Sequence, residues 1–338
     1  NSRKAYMSEL ISLIVSVYNE EKGLRQFYDT TKKILEGMRA GKYPALKRTY
    51  DYEICFVNDG STDGSGRVLQ ELKNADQKHV TVVTFSKNFG HEAAMTAGLD
   101  YASGNILIFM DADLQHPPEL IPEIAERFEA GFEIVSMART KNESAGSLKN
   151  LTSGAFYKFI NKISDTQLIP GASDFFAIND KAAEVLKCNY REKVRFMRGF
   201  VQNIGFNKTV IEYEAAERVA GSSHYNMKKL LKLSVDTIIC FSDMPLKLGI
   251  YAGFAAGVLG VALIIYTFFT RGGAPSGYAT IVIVLCFMSA VLFMLLGIIG
   301  EYMSILFREI KDKPIYIVRN VEAADVIREN RDTKCQDA

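Results

Sequence analysis

Two hydrophobic rhythms alternate through the first part of the chain. Short apolar runs rich in β-branched residues occur at Leu10 to Val17, Glu53 to Asn58, Val80 to Phe85 and Ile106 to Met110, and they predict strands. A similar run, Phe132 to Met137, predicts a fifth. Between the runs the spacing changes. From Glu20 to Met38, the residues Leu24, Phe27, Tyr28, Thr31, Ile34, Leu35 and Met38 recur every three or four positions, which predicts a helix with one apolar face. Ser61 to Leu72 and His91 to Ala102 also fit helices. Strands alternating with helices predict an α/β domain whose mainly parallel sheet is covered on both faces. Ligands of such sheets bind beyond the carboxyl ends of the strands.

Further along, the rhythm gives way to an almost uncharged tract. Residues 248–300 contain one charged residue, Arg271. Since about 20 apolar residues cross a bilayer, two transmembrane helices are predicted, 248–270 and 278–300, joined by a hairpin around Arg271 to Gly277. Lys228, Lys229, Lys232 and Lys247 precede the first span, and Arg308, Lys311 and Lys313 follow the second. That distribution predicts cytoplasmic termini and a cytoplasmic α/β domain. Asn226 to Ser242, basic at its start and apolar along one side, predicts an interfacial helix against anionic lipid. The expected organisation is a cytoplasmic domain at 7–225, an interfacial region at 226–246, the hairpin at 248–300 and a cytoplasmic tail at 301–338. The short apolar run Ile315 to Val318 in that tail needs a partner strand. A partner from within the chain or from a neighbouring subunit would serve, which leaves a homo-oligomer open.

Composition narrows the function classes. With 40 basic and 39 acidic residues and a net charge of +1, the chain lacks the strong positive charge of a nucleic-acid-coating protein. Five scattered cysteines without a C-x-x-C pair predict reduced thiols. There is no Trp.

The polar chemistry gathers where the predicted strands end. Tyr18-Asn19-Glu20-Glu21 follows the first, Asn58-Asp59-Gly60-Ser61-Thr62-Asp63 the second, Asn88-Phe89-Gly90-His91-Glu92 the third, and Asp111-Ala112-Asp113-Leu114-Gln115-His116-Pro117-Pro118 the fourth. No G-x-G-x-x-G follows the first strand and no P-loop signature occurs anywhere, which argues against dinucleotide-binding and P-loop NTPase readings. Asp111 and Asp113 lie on one side of an extended segment, able to share a divalent ion, with the Gln115 oxygen nearby. A chain of this length holds roughly one D-x-D by chance, so the weight rests on its position at the end of the most apolar strand. A solvated loop capping a helix before Pro117 is the plain alternative.

In their order along the chain, these four segments resemble the family 2 glycosyltransferases of the GT-A fold. The branch they resemble is that of the polyprenyl-phosphate hexosyltransferases, which includes dolichyl-phosphate mannose synthase and the bactoprenyl-phosphate glucosyltransferases. Similarity continues through Phe196-Met197-Arg198-Gly199-Phe200, Arg218-Val219-Ala220-Gly221-Ser222-Ser223-His224-Tyr225, Gly297-Ile298-Ile299-Gly300-Glu301-Tyr302 and Lys313-Pro314-Ile315-Tyr316-Ile317-Val318. The resemblance implies an inverting transfer of a hexose from a nucleotide sugar, UDP-linked, to undecaprenyl or a similar polyprenyl phosphate at the bacterial inner membrane. It implies that Tyr18, Glu20 and Asp59 line the nucleotide pocket and that Asp111, Asp113 and Gln115 hold Mg²⁺ or Mn²⁺. It also implies that Arg139, Lys149, Arg218 and His224 hold the acceptor phosphate, with Arg218 foremost, and that Asp174 borders the sugar. Processive members of the family carry a Gln-x-x-Arg-Trp signature, which a chain without Trp cannot contain. Departures from the family pattern are Ser16 for Pro, Asn58 for Asp, His224 for Lys, and Phe176 for the Arg of an Asp-Phe-Arg run. The last leaves the identity of the sugar open. Two rivals stand beside this reading: a transferase acting on another membrane lipid, and a catalytically silent membrane-anchored binding module.

Overall fold

The structure, a computed structural model, describes residues 9–140, 169–214 and 277–327, together with residue 249 and separate positions between 251 and 269. Lys149, Arg218, His224 and the predicted interfacial helix lie outside the described residues, as does about half of the first predicted membrane span. The chain divides into two compact units. The first holds the described residues up to Glu214 and those from Pro314 onward, and the second holds the long C-terminal helix.

In the first unit the elements run in this order: β1 (Glu9–Val17), α1 (Leu24–Arg39), β2 (Tyr50–Asn58), α2 (Ser65–Ala75), β3 (Val80–Phe85), α3 (His91–Tyr101) and β4 (Ile106–Asp111). A short 3₁₀ turn (Pro118–Leu120), α4 (Ile121–Glu129), β5 (Ile134–Arg139), β6 (Ala172–Asn179), α5 (Asp180–Asn189), α6 (Met197–Asn203) and β7 (Lys208–Tyr213) follow. The second unit contributes α7 (Tyr278–Ile310), after which β8 (Val318–Glu322) returns to the first. The strands form one sheet in the order β7-β5-β6-β4-β1-β2-β3-β8. Pairs β1–β2, β1–β4, β2–β3 and β5–β7 are parallel. Strand β6 enters antiparallel between β4 and β5, and β8 lies antiparallel on β3.

The central strands are apolar along nearly their whole length because helices cover both faces. All seven residues of the predicted apolar face of α1 are buried. Helix α3 packs so close to β1 that a Cβ on Gly98 would meet the Ile14 side chain at 2.1 Å. Helices α1 and α2 each begin four residues later than their sequence periodicity predicts. The backbone N–H groups of Glu20 and Glu21 donate to the Ser65 hydroxyl and the Asp63 carboxylate, at 2.9 and 3.2 Å. This cross-bonding stitches the two turns together before either helix begins. Arg139 is the last residue of β5 rather than a residue beyond it.

The tail strand finds its partner within the chain. It spans 318–322 rather than 315–318, and Ile317 accepts a bond from the Ser86 N–H at 2.9 Å. Beyond it Ala324, Val326 and Ile327 are buried against Leu10, and the Lys73 ammonium donates to the Ala323 carbonyl at 2.9 Å. Helix α7 has 33 residues and runs ten residues past the predicted end of the second span. Among the described residues, one helical stretch, Phe287–Ile310, is long and apolar enough to cross a membrane. Its large apolar side chains, Phe293 and Ile310 among them, are exposed.

At the amino-terminal edge of the sheet, buried His79 lies between two carboxylates. Its Nδ1 is 2.9 Å from Asp76, its Nε2 is 3.6 Å from Asp51, and its ring stacks on Tyr52 at 4.2 Å. Burial opposes the charged ring, but hydrogen bonds and charge from the two carboxylates outweigh it and raise the His79 pKa. Burial opposes the Asp76 carboxylate as well, yet bonds from His79, Lys32 and Tyr28 bring its pKa down. The Asp76 contribution is therefore present above its ordinary value of 3.8 and lost as pH falls. The His79 contribution is complete below 6.5 and lost as pH rises through the elevated folded value. The full chain in detergent is expected to melt highest between about pH 4 and 6.5 and to lose stability above that window. In His79→Gln the alkaline part of this loss should flatten. An unchanged slope there in thermal melts would contradict the assignment.

Candidate active site

Parallel strands β1, β2 and β4 all end at one edge of the sheet, and the four polar turns seen in the sequence meet there. Sheet order then adds a residue that sequence order does not. The β4–β6 register pairs Phe109 with Phe176. Continued by two residues, it sets Asp111 opposite Asp174. On the other side of β4, Ser16 of β1 pairs with Asp111.

Asp111 is the hub. The Ser16 hydroxyl donates to its Oδ1 at 3.3 Å, His91 Nδ1 lies 3.8 Å from the same oxygen, and His116 Nε2 lies 3.9 Å from Oδ2. The Ser16 hydroxyl also meets His91 Nδ1 at 2.9 Å. Burial raises the Asp111 pKa, but His91, His116, Ser16 and Arg139 together outweigh it and hold the group in its charged form. The residue at the departure from Pro thus bonds directly to the central carboxylate.

His91 stands between two acids, with Nε2 3.8 Å from Asp174 Oδ2. Burial lowers its pKa, and Asp111, Asp174 and Glu92 more than reverse that. Glu92 is pushed up by burial and then by Asp174, although its Oε2 accepts the Met197 N–H at 2.8 Å. His116 is buried, stacks on Phe175 at 5.1 Å, and accepts the Asp111 N–H at Nδ1 at 3.0 Å. Burial is the main cause of its lowered pKa. Arg139 donates from Nε to the Tyr213 hydroxyl at 3.0 Å, and its guanidinium comes within 3.3 Å of His116 Nε2.

Phe176 is buried and stacks on Phe109 at 4.4 Å. A cation nevertheless stands beside Asp174: Arg198 Nε lies 3.8 Å from Asp174 Oδ1, and its NH1 donates to the Ala172 carbonyl at 2.9 Å.

In the turns that follow β1 and β2, Tyr18 is 48% exposed. Asn19 adopts φ +58°, and its side-chain oxygen accepts the Thr62 N–H at 2.9 Å. Asp59 is buried, and its two carboxylate oxygens accept the N–H groups of Phe89 at 2.6 Å and Gly90 at 2.9 Å, together with the Asn88 amide at 2.9 Å. Burial still leaves its pKa raised.

The oxygen donors Asp111, Asp113 and Gln115 occupy one five-residue turn. Leu114 sits between them at φ +60°, and Gln115 N–H donates to Asp113 Oδ1 at 3.1 Å. Among the described residues no cluster of three or more His, Cys, Asp or Glu side chains could enclose a metal alone. Two carboxylates and an amide oxygen are the hard oxygen donors that Mg²⁺ and Mn²⁺ take.

The structure brings together Asp111, Asp174 and Arg139 from the sequence-predicted residues. It adds Ser16, His91, His116, Arg198 and Tyr213. His91 and His116 lay inside the polar turns, and Arg198 inside the Phe196 to Phe200 segment. His91 and Arg198 meet Asp174 only because strand order sets it opposite Asp111.

The largely parallel sheet is that of a GT-A-like α/β domain. The chain belongs to glycosyl transferase family 2, whose model matches residues 12–186. A second family, the GtrB C-terminal hairpin, matches residues 244–306. The chain is 37% identical to the Bacillus subtilis (strain 168) uncharacterized glycosyltransferase YkcC, covering 91% of this chain and 93% of that protein. It is 36% identical to the SfII prophage-derived bactoprenol glucosyl transferase of Shigella flexneri, covering 91% and 97%. Against the prophage bactoprenol glucosyl transferase homolog of Escherichia coli (strain K12), identity is 34%, covering 92% and 99%. These relatives fit the polyprenyl-phosphate branch of the family.

Proposed function

We propose that this enzyme transfers a hexose, glucose or a relative, from a UDP-sugar to polyprenyl phosphate with inversion at the anomeric carbon. The observation that carries the reading is the gathering of Asp111, Asp174, His91, Arg198 and Arg139 at one sheet edge, in a chain that aligns over nearly its full length with bactoprenol glucosyl transferases.

An acceptor phosphate oxygen is already anionic near neutral pH, since the second ionisation lies near pKa ~6. It therefore needs aiming more than deprotonation. That oxygen attacks C1 of the hexose, the bond from C1 to the UDP oxygen breaks, and UDP leaves with the electron pair. A single displacement inverts the anomeric centre. Arg139, with Lys149, Arg218 and His224, supplies positive charge for the acceptor. Tyr18, Glu20 and Asp59 line the nucleotide pocket. Asp174, steadied by His91 and Arg198, faces the sugar. Asp111, Asp113 and Gln115 would hold Mg²⁺ or Mn²⁺, which neutralises charge growing on a leaving diphosphate. The apolar helix α7 and the nearly uncharged stretch ahead of it keep the enzyme at the membrane, where the lipid acceptor resides.

Labelled UDP-glucose offered to the detergent-solubilised enzyme should label undecaprenyl phosphate and leave diacylglycerol unlabelled. Chelation by EDTA should abolish transfer, and Mn²⁺ or Mg²⁺ should restore it. Labelling of diacylglycerol alone would establish the rival lipid-acceptor reading.

A further inference from the structure

The tail that follows α7 does more than complete the sheet edge. The Tyr316 ring stacks on Phe85 at 5.2 Å with the planes 9° apart, and its hydroxyl donates to Asp100 at 2.7 Å. Asp100 is fixed in turn by Arg191 at 2.9 Å. Phe85, the last residue of β3, meets Phe89 edge to face at 5.7 Å. Phe89 belongs to the loop whose N–H groups hold Asp59.

That loop has little regular structure of its own. It is fixed from two sides. On one side Ser86 is bonded to Ile317, and Phe89 packs with Phe85, Ile315, Tyr316 and Val318 in a single apolar cluster. On the other, Asp59 takes the Phe89 and Gly90 amides. The adjacent Gly60, at φ +64°, lies so near that a Cβ there would meet the Lys87 carbonyl carbon at 2.4 Å. Loop and Asp59 therefore cannot shift independently.

We propose that Tyr316 is a positioning residue for the donor nucleotide, acting through Phe85 and Phe89 on the loop that orients Asp59. The inference rests on the reading of Asp59 as a nucleotide-pocket residue. It makes the returning tail part of the donor site without touching the donor. Aromatic pairs prefer offset-stacked and edge-to-face arrangements beyond simple burial, so an aliphatic side chain at position 316 fills space without holding Phe85 and Phe89 in those orientations.

The test uses the full chain in detergent, with UDP affinity measured by titration calorimetry beside steady-state kinetics. Tyr316→Leu should weaken UDP binding about fivefold and raise the donor KM equally. Its kcat at saturating donor and its polyprenyl phosphate KM should stay within about twofold of the parent. Tyr316→Phe, which keeps the ring, should restore donor affinity. Phe89→Leu should repeat the Tyr316→Leu pattern, and it provides the test if Tyr316→Leu does not fold. Asp59→Asn separates the two levels of the argument. If Asp59→Asn weakens UDP binding while Tyr316→Leu or Phe89→Leu does not, the aromatic relay is wrong. If Asp59→Asn binds UDP normally, the pocket reading fails and the relay with it.

Discussion

Asp111→Asn is expected to lower kcat/KM by about three orders of magnitude, roughly 4 kcal/mol of transition-state stabilisation, while moving the thermal midpoint by only a few degrees. The substitution preserves shape and can still accept the Ser16 hydroxyl. What it removes is a full negative charge held beside His91, His116 and Arg139. Three consequences follow from that one loss. The oxygen donor set of the Asp111–Gln115 turn loses half of its carboxylates. His91 loses the first of the acids that raise its pKa. The charge balance around Arg139 shifts, and with it the aim of a cation proposed to meet the acceptor. Stability should change little because the site gathers cations around the carboxylate for function and the core lies elsewhere, beneath α1 and α3. Steady-state kinetics paired with thermal melts check this. A variant within tenfold of the parent would contradict the role given to Asp111.

Deleting the chain from Pro314 onward should have an equally large effect, this time on folding. The returning segment supplies an edge strand to β3 and buries Val326 and Ile327, each worth about 1.5–3 kcal/mol. The N–H groups of Ala324, Asp325 and Val326 also bond to Thr81, Gln77 and Lys78 at 2.9–3.1 Å. Together these approach the whole stability of a domain, about 5–15 kcal/mol. The truncated chain should be degraded under limited proteolysis that leaves the full chain intact. Equal resistance would show that the tail is an accessory.

How much of this was legible in the sequence depended on the kind of signal. Strands β1 to β4 and helix α1 were readable because burial on both faces leaves unbroken apolar runs and a clean three-four spacing. Strand β8 was misplaced because Val-Arg-Asn-Val-Glu carries two charges in five residues, as a sheet edge facing water should. The apolar residues just before it turned out to pack on Phe85 and Phe89. Strands β6 and β7 were not anticipated, and with them went the register that carries Asp174 to Asp111. Asp111, Asp113 and Gln115 stood out as candidates from their position, since acids at the end of an apolar strand are costly unless something positive joins them. His91 and Arg198 could not, because each acquires its meaning from a partner on a distant strand. The Phe176 departure removes an Arg from the Asp174 segment, and α6 brings another, Arg198, beside Asp174.

The most direct check is the chemistry of the product. Undecaprenyl phosphate and UDP-[1-¹³C]glucose should be incubated with the enzyme, and the lipid fraction examined by ³¹P and ¹³C NMR. The expected product has C1 joined to a single phosphate as a phosphodiester, with the anomeric configuration opposite to that of the donor. Glucose joined to a lipid hydroxyl, or a C1 that retains the donor configuration, would contradict transfer by single displacement onto a lipid phosphate.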